Sequence, residues 1–390
     1  MSEDAGKRFL PIIHGMRGRG MKFLAGLLAV MSLVFVVGVL AAADVINLPG
    51  HLKTELGLAT ETPDPPCRIG LYTNSPKDPP APAGHWRFEP ETPRTQIEAS
   101  GIAIGPVIYV TGGSPPGNLH RVTAFDTRTG KWSDPTSLPT GLNHSQVATH
   151  DGKLYLAGGF LNGENPTANF WQWDPKTNEW TKLPDLLAPS SAGAVVAIGD
   201  KLYVASGAPQ TFGVSGPVEP YKALQIYDFK TGKWSYGAPI LNPRHHVGAA
   251  TLGGKLYVVG GRGEEDHSLP TFESYDPATD KWEELPDAPL GVASPGLVAA
   301  DGKLVVVGGE DQNNWEDGDG WVTPSAWAYD PQTREWSRLP DMKFDRRGSG
   351  VAATNGRIYA LGGSYCPGLK PGGPVGTHTV ESLPYSALEG

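Results

Sequence analysis

Six tryptophans, Trp86, Trp132, Trp180, Trp234, Trp282 and Trp336, are each followed 26 residues later by a small residue and a glycine. These pairs are Gly112-Gly113, Gly158-Gly159, Ser206-Gly207, Gly260-Gly261, Gly308-Gly309 and Gly362-Gly363. An interval held through six copies identifies one repeated supersecondary unit, which buries its apolar faces by stacking on its neighbours. The length of 390 residues would by itself suggest two or three domains, but the repeat reduces them to one array.

Each glycine pair closes a short apolar run, such as Lys255 to Val259 or Arg357 to Leu361, that reads as a buried strand. Ahead of such runs stand Asp151-Gly152, Gly253-Gly254, Asp301-Gly302 and Asn355-Gly356, two-residue hairpin turns that require positive φ. Five of the tryptophans are also preceded by an aromatic-Asp-x-x-Thr-x-x-Trp phrase, starting at Phe125, Trp173, Tyr227, Tyr275 and Tyr329. Its Asp and Thr supply turn chemistry between two further strands. Each repeat therefore holds four strands. The 51 glycines, 37 prolines and 19% charged residues suit short strands and tight turns, and the fold class is all-β.

The pattern resembles the kelch repeat, an apolar strand ending in Gly-Gly, then an aromatic-Asp, then an outer-strand Trp, and it extends from Trp86 to Tyr385. The resemblance implies a six-bladed β-propeller over residues 85–386. Trp86 has no aromatic-Asp phrase ahead of it, whereas Thr379 to Pro384 resembles Thr271 to Asp276 and is followed by no further Trp. The strand around Trp86 is therefore expected to complete the last blade and leave no long edge open. The same closure would bring Cys67 and Cys366, the only two cysteines, to one blade, where a disulfide is expected.

Phe23 to Ala43 is 21 residues without a charge, roughly 30 Å as a helix and enough to cross a hydrocarbon core. Lys7, Arg8, Arg17, Arg19 and Lys22 precede it and Asp44 follows, which places residues 1–22 in the cytoplasm as a basic N-terminus and exports the rest. Residues 44–84 form a Pro-rich linker. Ala41-Ala42-Ala43 also fits a cleavage site, and Met21 could begin a compact signal peptide. An apolar run beyond the usual 7–15 residues or so of a signal core favours the uncleaved anchor. Either way the propeller lies outside, where a disulfide persists. A formal charge of −9 without a basic cluster in the repeats excludes nucleic acid as an expected partner. The propeller is expected to be monomeric.

In a meander a-b-c-d, the b-to-c connections share one face. From the second glycine to the next aromatic position (Leu383 in the last repeat) they run 12, 14, 20, 14, 20 and 20 residues, so length variation is confined to that face. Such loops on a rigid scaffold carry binding residues. The fifth, Gly309 to Trp321, combines acids with Trp315 and Trp321, which suits sugar stacking or a solvated cover.

Comparing equivalent positions separates what the fold repeats from what it does not. Twelve residues after each Trp stand Glu98, His144, Ala192, His246, Ser294 and Gly348; one residue earlier stand Ile97, Asn143, Ser191, His245, Ala293 and Arg347. After each glycine pair stand Ser114, Phe160, Ala208, Arg262, Glu310 and Ser364. Glu98, His144, His246, Arg262, Glu310 and Arg347 are therefore the candidate ligand-binding set at the channel mouth. Glu310 or Glu98 would serve acid–base chemistry, with Arg262 or Arg347 holding a carboxylate or developing charge. Alternatively, these groups satisfy one another.

His144, His246 and Glu98 are suitable metal ligands by type, but they come from different repeats without local spacing, so no metal or other cofactor is assigned. Asp317 and Asp319 lack the remaining spacing of a calcium loop, and Asn143-His144-Ser145 matches the short glycosylation pattern.

Two function classes remain. One is an exported binding module for a protein or carbohydrate ligand. The other is a carbohydrate-active enzyme of mutarotase or epimerase type, similar to the periplasmic kelch sialic-acid mutarotases in blade number, compartment and charged mouth. Galactose-oxidase chemistry needs copper, a redox tyrosine and a Cys–Tyr link, which Cys67 and Cys366 do not fit. Export argues against an intracellular kelch adaptor.

Overall fold

A computed structural model describes residues 85–114, 119–162, 165–209, 221–263, 267–311, 321–365 and 376–389. Cys67, Cys366, Trp315, Asp317, Asp319 and the N-terminal apolar segment lie outside the described residues. Among those described, no helix is long and apolar enough to cross a membrane.

Each repeat forms four antiparallel strands. Sheet 1 runs outward through Ser100–Ile104, Val107–Thr111, Arg121–Asp126 and Lys131–Ser137. Sheet 2 comprises Gln146–His150, Lys153–Ala157, Phe170–Asp174 and Glu179–Lys182. Sheet 3 comprises Ala194–Ile198, Lys201–Ala205, Leu224–Asp228 and Lys233–Gly237. Sheet 4 comprises Gly248–Leu252, Lys255–Val259, Phe272–Asp276 and Lys281–Leu285. Sheet 5 comprises Gly296–Ala300, Lys303–Val307, Ala326–Asp330 and Glu335–Arg338. In sheet 6, Gly350–Thr354, Arg357–Leu361 and Val380–Pro384 are followed on the outside by Arg87–Glu89, with Arg87 opposite Ser382 and Glu89 opposite Val380. The architecture is all-β and propeller-like.

The turn residues act as their chemistry requires. Asp151-Gly152 and Asn355-Gly356 both take positive φ at both positions, the type I′ geometry that matches strand twist. In the aromatic-Asp phrase, the Asp carboxylate accepts the N–H two residues on: Asp126 from Arg128 (2.9 Å), Asp228 from Lys230 (2.9 Å) and Asp330 from Gln332 (2.8 Å).

Hydrophobic clusters fill the spaces between consecutive sheets. One joins Ala194 and Tyr203 of sheet 3 to Leu256 and Tyr275 of sheet 4; another joins Val110 and Phe125 of sheet 1 to Ala352 and Tyr359 of sheet 6. A fully buried aliphatic or aromatic side chain contributes roughly 1.5–3 kcal/mol.

Two repeated hydrogen bonds explain why Trp and Gly-Gly recur. The second glycine's N–H donates across the seam to the carbonyl ten residues after the next Trp, as in Gly113 to Leu142 (3.0 Å), Gly261 to Val292 (2.8 Å) and Gly363 to Gln96 (2.9 Å). A Cβ on the first glycine would strike that same carbonyl: 2.0 Å at Gly158 and 2.3 Å at Gly260. Farther out, each Trp indole donates to the outer strand of the preceding sheet or just beyond it. Trp282 reaches Ala238 O (2.9 Å), Trp86 reaches Pro340 O (2.8 Å) and Trp132 reaches Pro90 O (3.0 Å).

Candidate functional site

The residues twelve positions after each Trp meet at the axis. All six, Glu98, His144, Ala192, His246, Ser294 and Gly348, take left-handed backbone conformations with φ between 49° and 56°. Five of their N–H groups donate to the carbonyl of the equivalent residue in a neighbouring sheet: Glu98 to Gly348 (2.8 Å), His144 to Glu98 (3.1 Å), His246 to Ala192 (2.6 Å), Ser294 to His246 (2.8 Å) and Gly348 to Ser294 (3.0 Å). The Ala192 N–H instead meets the amide oxygen of Gln146 at 3.0 Å, in the orientation its donors dictate. The fold therefore fixes the main chain at these positions and leaves their side chains free to differ.

The other two sets converge beside this ring. The residue before each ring position bridges to the residue after the glycine pair, including His245 with Arg262, Ala293 with Glu310 and Arg347 with Ser364. Through these bridges the six candidates form one buried cluster. Arg262 pairs with Glu310 Oε1; Arg347 pairs through Nη1 with Glu98 Oε1 and through Nε with Glu310 Oε2 (3.0 Å). The Glu310 carboxylate is wholly buried between the two guanidinium groups.

His144 Nε2 lies 3.2 Å from Glu98 Oε2, and the His144 and His246 rings meet edge to face with centroids 4.6 Å apart. His245 Nδ1 is 2.6 Å from His246 Nδ1, so one of the two rings donates and the other accepts. Burial, with the Arg262 cation nearby, drives His144 and His245 down to about 3 and His246 well below its ordinary value. All three are neutral at neutral pH, so the His144–Glu98 contact is one between neutral imidazole and carboxylate. Burial lowers Arg347 to about 10, which leaves it charged.

A cavity of about 160 Å³ is lined by Glu98, His144, His246 and Ser294 and by the start of the innermost strands. A second, of about 310 Å³, follows along the same strands through Ile102, Val196 and Ala299. Glu98 and the two histidines thus face space that runs along the strands toward the a-to-b turns. Arg262, Glu310 and Arg347 do not line either cavity. The described space adjoining the cluster lies along the strands.

Residues 108–366 match the family model described as the Attractin/LZTR1 beta-propeller, well over half of the chain. The chain belongs to the Attractin/LZTR1 β-propeller family. Its relatives bear out the kelch resemblance. Kelch-like protein terF of Aspergillus terreus is 29% identical over 299 residues, 71% of this chain and 62% of that protein. Kelch-like protein 35 of Mus musculus is 29% identical over 66% of this chain and 42% of its own length, and Kelch-like protein 26 of Danio rerio is 30% identical over 63% and 40%. The chain thus spans less than two thirds of the length of each of these relatives. The solved structure of YjhT aligns with a TM-score of 0.62 at 18% identity over 75% of this chain and 95% of that one, a likeness of fold.

In this Attractin/LZTR1-type propeller, all six charged and imidazole candidates come together. Trp321 is half-buried and stands opposite Asp311 in a short strand pair, next to Glu310. The residue missed is His245. It stands among the compared positions and adjoins His246, but only the fold shows that it faces the cluster.

Proposed function

We propose that this chain is a six-bladed kelch propeller, closed by Arg87–Glu89 in its last blade, that acts outside a membrane as a binding module. Its b-to-c face, with the Trp315 and Trp321 loop, engages a protein or carbohydrate partner over the charged axial cluster. One observation carries the reading: Glu98, His144, His246, Arg262, Glu310 and Arg347 occupy places where the backbone is common to the repeats and the side chains are not. Five of the six ring N–H links use main chain alone, which leaves these side chains available for binding. The kelch-type family supports an interaction role.

Residues 23–43 are proposed to anchor the propeller, with 44–84 as the linker, the chain acting as a monomer and a Cys67–Cys366 disulfide tying the ends. A pull-down from envelope extract, run beside a glycan array, tests the module. A partner or glycan should be retained by the natural chain and lost on joint substitution of Arg262, His246 and Glu310. Undiminished retention by that variant removes these residues from the site. Protease added to intact cells should digest the propeller; its survival would place it inside.

The Glu98 carboxylate facing the cavity beside His144 supports a second reading, proton transfer at a sugar ring. NMR of freshly dissolved anomers of sialic acid and common hexoses tests it, and no acceleration by the protein rejects it.

A further inference from the structure

We infer that Glu98, His144 and His246 bind one divalent transition-metal ion at the propeller axis, as a two-histidine, one-carboxylate site suited to Zn²⁺. This inference is independent of any partner on the b-to-c face. One ligand atom from each residue lies within 4.8 Å of the others. The His144 Nε2 to Glu98 Oε2 separation of 3.2 Å is close to the roughly 3.4 Å between two ligands each about 2.1 Å from a tetrahedral zinc ion. The third ligand closes by at most about 1.4 Å on this estimate, within reach of a histidine ring rotation.

The surroundings match the demands of such a site. The three ligands stand on ring positions whose main chain is fixed by neighbouring sheets, so their Cα atoms are pre-positioned. The other three ring positions carry Ala192, Ser294 and Gly348, which leave the axis uncrowded. A Cβ on Gly348 would lie 2.7 Å from Glu98 Oε2, so the glycine makes room for this carboxylate.

Outer partners orient the ligands. Arg347 takes Glu98 Oε1 and leaves Oε2 toward His144, while His245 contacts His246 at Nδ1. The cavity of about 160 Å³ supplies an open coordination position. Glu98 and Glu310 balance Arg262 and Arg347, so the ion would bring net positive charge and its open position would favour an anionic ligand, such as hydroxide or an exogenous carboxylate. Imidazole and carboxylate together suit Zn²⁺, Co²⁺ or Fe²⁺ more than Mg²⁺ or Ca²⁺.

The test uses the full chain without an affinity tag, stripped with chelator and titrated with Zn²⁺ by calorimetry and with Co²⁺ by visible absorption. One ion per chain is expected at micromolar or tighter dissociation constant, with a Co²⁺ d–d spectrum of low coordination number. The triple substitution E98Q/H144N/H246N should abolish that site. H245A should weaken it by about 10–100-fold, the range for an outer-shell partner, and His150→Ala should leave it unchanged. If the triple variant does not fold by circular dichroism, X-ray absorption of the Zn²⁺-loaded natural chain decides, with two imidazoles and one carboxylate expected. Substoichiometric binding, binding unchanged in the folded triple variant, or a ligand count without two imidazoles overturns the site.

Discussion

At Gly348 two constraints fall on one residue. Its φ of +53° lies in the left-handed region, and its missing side chain is the space taken by the Glu98 carboxylate. The conformation alone does not demand glycine, since Ala192 and Ser294 adopt it in sheets 3 and 5, at about 1–2 kcal/mol each. Gly348→Ala should therefore cost more than that backbone term, about 2–3 kcal/mol by urea denaturation, because the new methyl also displaces Glu98. A cost under about 1 kcal/mol would mean that Glu98 moves freely and is not positioned by the ring. The charged candidates were legible because they depart from the repeat. Their mutual pairing was not legible, since Arg347 and Glu98 are 249 residues apart and only the fold brings them together. His245 stands at the same offset as Arg347 and departs from the repeat in the same way, but its contact with His246 within the cluster was visible only in the fold.

Strand and turn carry most of what the sequence disclosed. The Trp to Gly-Gly interval proved to be the spacing between two cross-sheet donors, an indole at the rim and a glycine amide near the axis. Trp86 is the most buried of the six repeat tryptophans, whereas Trp132 is partly exposed. Trp86→Ala should cost about 3–5 kcal/mol in chemical denaturation, and Trp132→Ala distinctly less. Equal losses would contradict the burial difference.

The aromatic-Asp phrase makes a pH prediction. Hydrogen bonds from the turn N–H groups hold the carboxyls of Asp126, Asp174 and Asp228 below their ordinary value. A depressed folded-state value means that the unfolded chain binds protons first, so this stabilisation is complete above about pH 4 and is lost as pH falls further. Asn at all three positions should keep the turns and flatten the decline of stability below pH 4. A triple variant as acid-sensitive as the natural chain would assign that decline to other carboxylates. The long b-to-c connections were legible in length alone, because their polar sequences carry no period.

Over the whole chain, residues of the first and last repeats are joined by several kinds of bond. Arg87–Glu89 pairs with Val380–Pro384, Gly363 donates to Gln96, and Glu98 donates to Gly348. The odd Trp86 and the unpartnered Thr379 to Pro384 already pointed to this pairing, because a repeat lacking its last strand must take it from elsewhere. If Cys67 and Cys366 also pair, peptide mapping of the protein purified without reductant should recover them linked, and reduction should cost about 2–4 kcal/mol. Two free thiols would leave the ends tied by hydrogen bonds and packing alone.

The axial ring has a further consequence. Five of its six N–H groups are held by main-chain carbonyls, links that a side-chain substitution in the ring does not remove, so a mutation there can alter chemistry without rewriting the architecture. A lineage could exchange Ala192 for a third histidine, or His144 for a serine, in single steps and pass only through folded intermediates. Such a scaffold is well suited to acquiring new ligands by drift and selection.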